Sequence, residues 1–450
     1  MSERDKEIKR YFGTDGIRGR VGEPPITAEF CLQLGWAVGK VLAMEGSRLV
    51  LIGKDTRISG YMIESVLEAG LVSAGVDVRL LHPIPTPAVA YLTRTLRAQA
   101  GIVISASHNL YEDNGIKFFD SLGNKLPDAT ELEIERQLDI PMKSVSSKEL
   151  GKVVGLEDAR ARYVEFCKST VPSSFSLGGM KVVLDCAHGA TYQVAPGVFS
   201  ELGADVTLIG ASPNGMNIND HCGSTRPEAM ARKVVEVGAD VGIAFDGDGD
   251  RVIMADHNGE ILDGDDLLYV IARYGNHKDG FGGVVGTSMT NLGLEHCLRS
   301  HGILFERAGV GDRNVMEIMK KRCWSLGGEP SGHIICTNLS TTGDAIVAAL
   351  QVLVPMIESA QSLAVLKSGV TKFPQYLVNV RTVSAADISR SKTVTEAVLD
   401  VENELGSRGR VLIRPSGTEP VVRVMVEGED DDEIEGFAET VADVVRNVGA

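Results

Sequence analysis

Short apolar runs of strand length alternate with helical periodicity three times along this chain, and few folds can absorb such a pattern. The first unit has helical patterns from Thr27, a natural N-cap, to about Lys40 and from Tyr61 to Ser73, with LVLIG (Leu49 to Gly53), VDVRLL and GIVIS as strands. The second has MKVVLDC (Met180 to Cys186), a helix over Ala190 to Leu202, ADVTLIG, a helix after Pro227 and ADVGIAF. The third starts near Asp256, with helices from Asp265, Asn291 and Asp312 around GGVVGT and ILFE, and closes with a helical stretch from Asp344 to Ala360. After LKSGVTKFP the order becomes strand, helix, strand, strand, helix: YLVNVR, Val394 to Leu405, RVLIRP, VVRVMVEG and a terminal helix. Repeated βαβ units imply mostly parallel sheets with ligand loops at the carboxyl ends of strands. The last piece reads as a small α+β domain.

Periodicity lapses at DIPMKSVSSKELGK, Asp139 to Lys152. A chain of 450 residues is too long for one core at about 100–200 residues per domain. The expected domains are residues 1–150, 151–255, 256–368 and 369–450, the first three similar in plan without obvious internal identity. With 43% hydrophobic and 24% charged residues the chain is globular, not disordered. Its formal net charge of −16 argues against a nucleic-acid partner, which would call for a basic face; an anionic ligand requires basic residues gathered locally. The seven cysteines are scattered, with no CxxC pair, and read as reduced and mostly buried. The N-terminal MSERDKEIKRYF lacks an apolar core, and no run of about 18 apolar residues occurs. A cytoplasmic protein with no membrane partner is expected.

The most specific chemistry lies in AFDGDGDR, Ala244 to Arg251. A buried strand delivers Asp246, Asp248 and Asp250 at alternate positions, and three such carboxylates repel unless a cation joins them, which favours a hard divalent ion. An EF-hand loop would need Gly and Glu where Arg251 and His257 stand; the plain alternative is a solvated Asp-Gly turn. In SASHNLYEDNGIKFF the strand GIVIS exits into a polar turn where Ser105 or Ser107 would sit exposed at the sheet edge, beside His108. DNG reads as a tight turn that sends Lys117 back along IKFF toward the same edge. A lone serine there is more often a cap than a nucleophile. RPSGTEP followed by VVRVM offers Arg414, Ser416, Gly417, Thr418 and Arg423 for a phosphate, against an ordinary loop with two solvated arginines. GGEPSGHI brings Glu329, Ser331 and His333 onto one glycine-bounded loop suited to sugar hydroxyls or an amine. FGTDGIRGR adds Arg18, and GKDTR adds Lys54 and Arg57.

Together these segments resemble the α-D-phosphohexomutase family from end to end. FGTDGIRG, ISASHNLYEDNGIKFF, FDGDGDR, GEPSGH and RPSGTEPVVRVMVEG stand in the family's order and spacing. The resemblance implies an α/β fold with four domains around a central cleft: three related α/β domains with mixed sheets and a C-terminal α+β domain that closes over substrate. It implies an isomerase that works as an intramolecular phosphotransferase. FGTDGIRG, NGMNINDHCGST and SGTEPVVRVMVEG are most like members that act on amino sugars. The expected reaction interconverts glucosamine 6-phosphate and glucosamine 1-phosphate through a phosphoserine enzyme and a 1,6-bisphosphate, on the way to UDP-N-acetylglucosamine and peptidoglycan.

Carried onto this sequence, the family motif makes Ser107 the phosphoserine, with Ser105 ending the strand and Arg18, His108, Lys117 and Arg251 assisting charge and proton transfer. Asp246, Asp248 and Asp250 would hold one Mg²⁺, with an oxygen on Ser107 completing its shell. Glu329, Ser331 and His333 would read the sugar; Arg414, Ser416, Gly417, Thr418 and Arg423 would bind the phosphate that is not reacting. The 1,6-bisphosphate would serve as activator and intermediate, and the oligomeric state stays open between monomer and homodimer. Two positions depart from the family pattern: Leu110 where Pro follows SHN, and Pro330 where members acting on amino sugars usually have Gln. The other readings are a member acting on mannose or glucose phosphates, a Mg²⁺-dependent phosphatase using the same serine, and a sugar-phosphate binding protein without turnover.

Overall fold

A strand covered on both faces needs apolar residues at successive positions, and GIVI and VGIAF are such strands: every residue of Ala100–Ile104 and Val241–Phe245 is buried. The computed structural model, which describes residues 9–42, 48–275, 280–382, 388, 391–415 and 421–449, gathers the strands into four sheets. The first contains β1 (Ile17–Arg20), β2 (Leu49–Lys54), β3 (Asp77–Pro83), β4 (Ala100–Ile104), β5 (Asp113–Asp120) and β6 (Val153–Gly155), in the order β1-β5-β4-β2-β3-β6. The second contains β7 (Lys181–Asp185), β8 (Asp205–Ile209), β9 (Val241–Phe245), β10 (Val252–Asp256) and β11 (Ile261–Leu262), ordered β11-β10-β9-β7-β8. The third contains β12 (Val284–Thr287), β13 (Phe305–Ala308), β14 (Leu326–Gly328) and β15 (Ile334–Cys336), ordered β13-β12-β14-β15. In the last, β16 (Gln375–Arg381), β17 (Gly409–Pro415) and β18 (Val421–Gly428) run antiparallel in the order β16-β18-β17.

One plan recurs in the first three sheets. Two strands lie parallel to a central one, and a further strand folds back antiparallel: β5-β4-β2-β3, β10-β9-β7-β8 and β15-β14-β12-β13. The sheets are therefore mixed, as the family resemblance implied, and not the mostly parallel ones suggested by the βαβ pattern alone. Loops 105–112, 246–251 and 329–333 make the difference, since each is shorter than the dozen or so residues that a parallel crossover needs. These three loops occupy equivalent places in their domains, and they carry the serines, the aspartates and GEPSGH.

The sheets overrun two expected domain limits. β6 lies beyond residue 150 yet completes the first sheet against β3; exposed along its whole length, it left no apolar pattern to read. β10 and β11 carry the second sheet to Leu262, past the limit expected after 255, because the chain turns back twice before the next helix. DNG is not a turn either: Asp113 to Gly115 are extended in β5. Asn114 is buried and donates to Ser59 Oγ (2.8 Å), and at Gly115 a Cβ would come within 2.7 Å of Ser105 O. Close approach, not reversal, explains that glycine.

One apolar cluster runs from the first domain through the third, with Leu51, Val103, Leu184, Phe245, Leu267 and Leu353 fully buried in it. The last domain has its own cluster, including Val422, Val424, Ile434 and Val441. Its seam with the third domain is polar. Arg410 donates to Ser288 O and Thr290 O (both 2.7 Å) and pairs with Glu427, which is fully buried and also accepts the Leu292 N–H at 3.1 Å. All seven cysteines are free, and five are buried. Among the described residues no helix is long and apolar enough to cross a membrane.

Candidate active site

β4 ends at Ile104, and the chain turns through Ser105 and Ser107, the latter in the left-handed region at φ +52°. The Ser107 N–H donates to Ser105 Oγ (2.9 Å), and the Ser107 hydroxyl donates to Asp246 Oδ2 of the second domain (2.6 Å). Both serines are buried, against the expectation of an exposed turn. The second domain's aspartate loop covers them, so closely that a Cβ on Gly247 would lie 2.6 Å from Ser107 O.

That loop is held from three sides. Gly247 O accepts from Ala190 N in its own domain (2.8 Å), Asp248 O from Thr86 N in the first (2.8 Å), and Gly249 O from Ala345 N in the third (3.1 Å). Asp246 Oδ1 accepts the N–H groups of Gly249, Asp250 and Arg251 at 3.0–3.2 Å and so closes the loop on itself. Asp248 Oδ2 accepts from Thr86 Oγ1 (2.5 Å) and Lys117 Nζ (2.7 Å), and Asp250 Oδ2 from Lys117 Nζ (3.1 Å). One oxygen from each of the three carboxylates falls within 4.8 Å of the others. Asp248 Oδ1 and Asp250 Oδ1 are buried without a hydrogen-bond partner. Orphaned carboxylate oxygens in a buried cluster are costly unless a cation takes them, so the donor set fits a hard, oxygen-preferring metal ion. Burial, then Asp250 and Asp248, pushes Asp246 well above the usual carboxylate range. Burial opposes the charge of Asp250 too, but Lys117, His333 and Arg251 outweigh it and hold Asp250 well below that range.

Cations surround the carboxylate cluster. Lys117 is buried, yet Asp15, Asp248 and Asp250 overcome the burial and keep its ammonium charged. Asp15, from the opening FGTDGIRGR, also pairs with Arg18 and Lys125, and Lys125 reaches across to Asp312 in the third domain (2.8 Å). Burial, with Arg251 and Arg18, pushes His108 down to about 4. His333 goes the other way. Although buried, it lies 3.7 Å from Asp250 Oδ1 and 3.5 Å from Asp312 Oδ2, and they raise it to about 9. Arg18, Arg251, Glu329 and His333 line one cleft of about 340 Å³ together with Tyr11 and Asp312. Glu329 Oε1 accepts the Gly311 N–H (3.0 Å), Pro330 O accepts the Gly264 N–H (3.0 Å), and Ser331 is exposed on the same loop.

Arg414 and Arg423 are directly opposite each other on β17 and β18, which puts both side chains on one sheet face. Neither lines the cleft of the first three domains. Ser416, Gly417 and Thr418 lie outside the described residues. The sequence alone does not mark Thr86 or Lys125 as site residues; Asn219, which reaches Ser107 O, stands in it only as part of NGMNINDHCGST, Asp15 only as part of a turn and Asp312 only as a helix start. Thr86 and Lys125 carried no local signal, because their partners are far away in sequence.

Four family descriptions of phosphoglucomutase/phosphomannomutase match in order: alpha/beta/alpha domain I over residues 9–143, domain II over 161–259, domain III over 263–373 and the C-terminal domain over 377–444. The chain is 61% identical over 438 residues to the phosphoglucosamine mutase of Nitrosococcus oceani, covering 97% of each chain. It is 60% identical over 441 residues to that of Cellvibrio japonicus, covering 97% of this chain and 99% of the other. Among solved structures, a phosphoglucomutase/phosphomannomutase family protein from Burkholderia thailandensis superposes with a TM-score of 0.80 at 22% identity, covering 96% of this chain and 97% of that one.

Proposed function

The chain belongs to the phosphoglucomutase/phosphomannomutase family, and from that premise we propose that it interconverts glucosamine 6-phosphate and glucosamine 1-phosphate through a phosphorylated Ser107 and a 1,6-bisphosphate. It is an intramolecular phosphotransferase of the isomerase class. One observation supports the chemistry above all: Ser107 Oγ meets Asp246 Oδ2 at 2.6 Å, in the same carboxylate cluster that holds Lys117.

Asp246, Asp248, Asp250 and an oxygen on Ser107 would hold Mg²⁺, which supplies a Lewis acid for the charge on the transferring group. The rest falls to the chain's own residues. The P–O bond to Ser107 breaks as one to the sugar hydroxyl forms; the hydroxyl loses its proton, and Ser107 Oγ ends protonated. Lys117, held as an ammonium, supplies that proton, and neutral His108 takes the one from the sugar. Arg18 and Arg251 spread the phosphoryl charge. Glu329, Ser331 and His333 read the sugar, while Arg414, Arg423 and the segment Ser416 to Thr418 anchor the far phosphate.

The bisphosphate then turns end for end, and its other phosphate returns to Ser107. A cleft of about 340 Å³ is of the size that encloses a small ligand. Closure of the last domain would exclude water and protect the phosphoserine from hydrolysis. The test is ³¹P NMR of glucosamine 6-phosphate with the purified chain, Mg²⁺ and a trace of the 1,6-bisphosphate, with mannose and glucose phosphates alongside. Glucosamine 1-phosphate should grow fastest, and excess EDTA should stop it. Release of inorganic phosphate alone would replace the mutase with a phosphatase.

A further inference from the structure

Two carbonyl oxygens of the serine loop, Ser107 O and Asn109 O, point to one side of it, and two side chains from different domains converge on both. Arg57 Nη2, of the first domain, donates to Ser107 O (3.2 Å) and Asn109 O (2.5 Å). Asn219 Nδ2, of the second, donates to the same two atoms, each at 2.9 Å. Each NH₂ group has two protons, so each is used up on this pair. Two carbonyl acceptors admit only the NH₂ side of the Asn219 amide.

Both donors are themselves fixed. Arg57 is fully buried and neutralised by Asp55, whose Oδ1 also accepts the Arg57 N–H at 2.9 Å. Asn219 is buried in the left-handed region at φ +58°, where Asn is favoured among residues with a side chain. Its N–H donates to Ala187 O (2.9 Å), and Asp185 ties down the flanking segments through Ala187 N (2.9 Å) and Gly223 N (2.8 Å). A Cβ on Gly247 would lie 2.7 Å from Asn219 Nδ2. The amide is thus wedged between the serine loop and the aspartate loop.

The serine loop needs such support. A non-glycine residue in the left-handed region is strained and persists only when its surroundings over-determine it. Three residues on from Ser107, Leu110 is half exposed and has no ring to fix φ. We infer that Asn219 is a positioning residue of the transfer, which with Arg57 sets Ser107 against the aspartate loop from across the domain boundary. This rests on Ser107 being the phosphoryl carrier. Without the Asn219 amide, the Ser107 and Asn109 carbonyls lose their only tie to the second domain among the contacts described above, and Ser107 Oγ drifts relative to Asp246. The side chains proposed to read the sugar are held elsewhere, Glu329 on the Gly311 N–H and His333 between Asp250 and Asp312.

The test compares the wild-type chain with Asn219→Asp and Asn219→Gly on glucosamine 6-phosphate, with Mg²⁺ and a trace of the 1,6-bisphosphate. Asp keeps the size and tolerates the backbone angle but presents oxygen to both carbonyls; Gly asks least of the backbone and adds no charge. Expected is a fall in kcat of about 10²-fold in both variants, with KM unchanged, and a faster loss of the Ser107 phosphate followed by intact mass. If Asn219→Asp does not fold, Asn219→Gly decides alone. Wild-type kcat in Asn219→Gly, or a raised KM at unchanged kcat, would overturn the positioning role while leaving the mutase reading in place. An inactive wild type would sink both.

Discussion

The serine and aspartate loops on one side, and the strand pair bearing Arg414 and Arg423 on the other, which the proposed function brings to one substrate, stand on differently built ground. The first two belong to domains that share one apolar cluster, and they are bonded to each other and to the third domain through successive backbone carbonyls. The arginines belong to a domain with a core of its own, joined to the third where Arg410 donates to two backbone carbonyls and its buried partner Glu427 accepts a backbone N–H. A shared apolar core fixes geometry at close quarters, whereas a polar seam is the default place for relative motion between domains. Under the proposed function, bond making falls to the part with the shared core, and holding the phosphate that is swapped end for end falls to the part across the polar seam.

The largest effect expected tests the rigid side. Ser107→Ala should lower kcat by roughly 10⁴-fold or more, as loss of a nucleophile does, with little change in Tm because Asp246 keeps its three backbone donors. Substantial turnover by this variant in the ³¹P assay would remove Ser107 from the chemistry and dissolve the contrast. The next tests the seam. Arg410→Ala strands the buried Glu427 carboxylate without its cation, a loss of about 3–5 kcal/mol for a broken buried pair. The last domain should then melt in a separate, earlier calorimetric transition, with KM raised more than kcat is lowered. A single transition at the wild-type Tm would mean that the seam carries no weight.

The same contrast decides what could be read from sequence. β4 and β9 announced themselves because burial on both faces leaves an unbroken apolar run, and DGDGD because three close carboxylates have few stable environments. The family motifs, being contiguous, could be placed residue by residue. What stayed hidden depends on partners distant in sequence: Lys125 with Asp312, Thr86 with Asp248, Asn219 with Ser107. An exposed three-residue edge strand such as β6 leaves no periodicity. DNG misled because Gly and Asn serve equally for turns and for close packing, and only the position of Ser105 O tells the two apart.

The smallest effect probes whether the shared core is dry where the second and third domains meet. Asp344 caps the helix Ala345–Ser359, accepting the Val347 N–H (3.0 Å) and the hydroxyl of Tyr163 from the second domain (2.8 Å). Burial raises its pKa from the usual 3.8 to about 6 in spite of those hydrogen bonds. Around it, Tyr163 and Cys167 are pushed up by burial and by Asp344 itself, and burial takes Cys336 up to about 12, so all three stay uncharged. The folded chain therefore binds this proton more tightly than the unfolded one. The stability it contributes is fully present below about pH 4 and is lost as pH rises through about 6, with an upper bound near 3 kcal/mol for about two pKa units. Asp344→Asn removes the titration while keeping an acceptor for Val347. The urea stability of wild type relative to this variant should be higher at about pH 5 than at about pH 8, with most of the change below about pH 6 and a plateau above it. A difference that stays flat across that range would mean that water reaches Asp344, and the first three domains would then meet at a wetter, looser junction than the rigid half of the comparison requires.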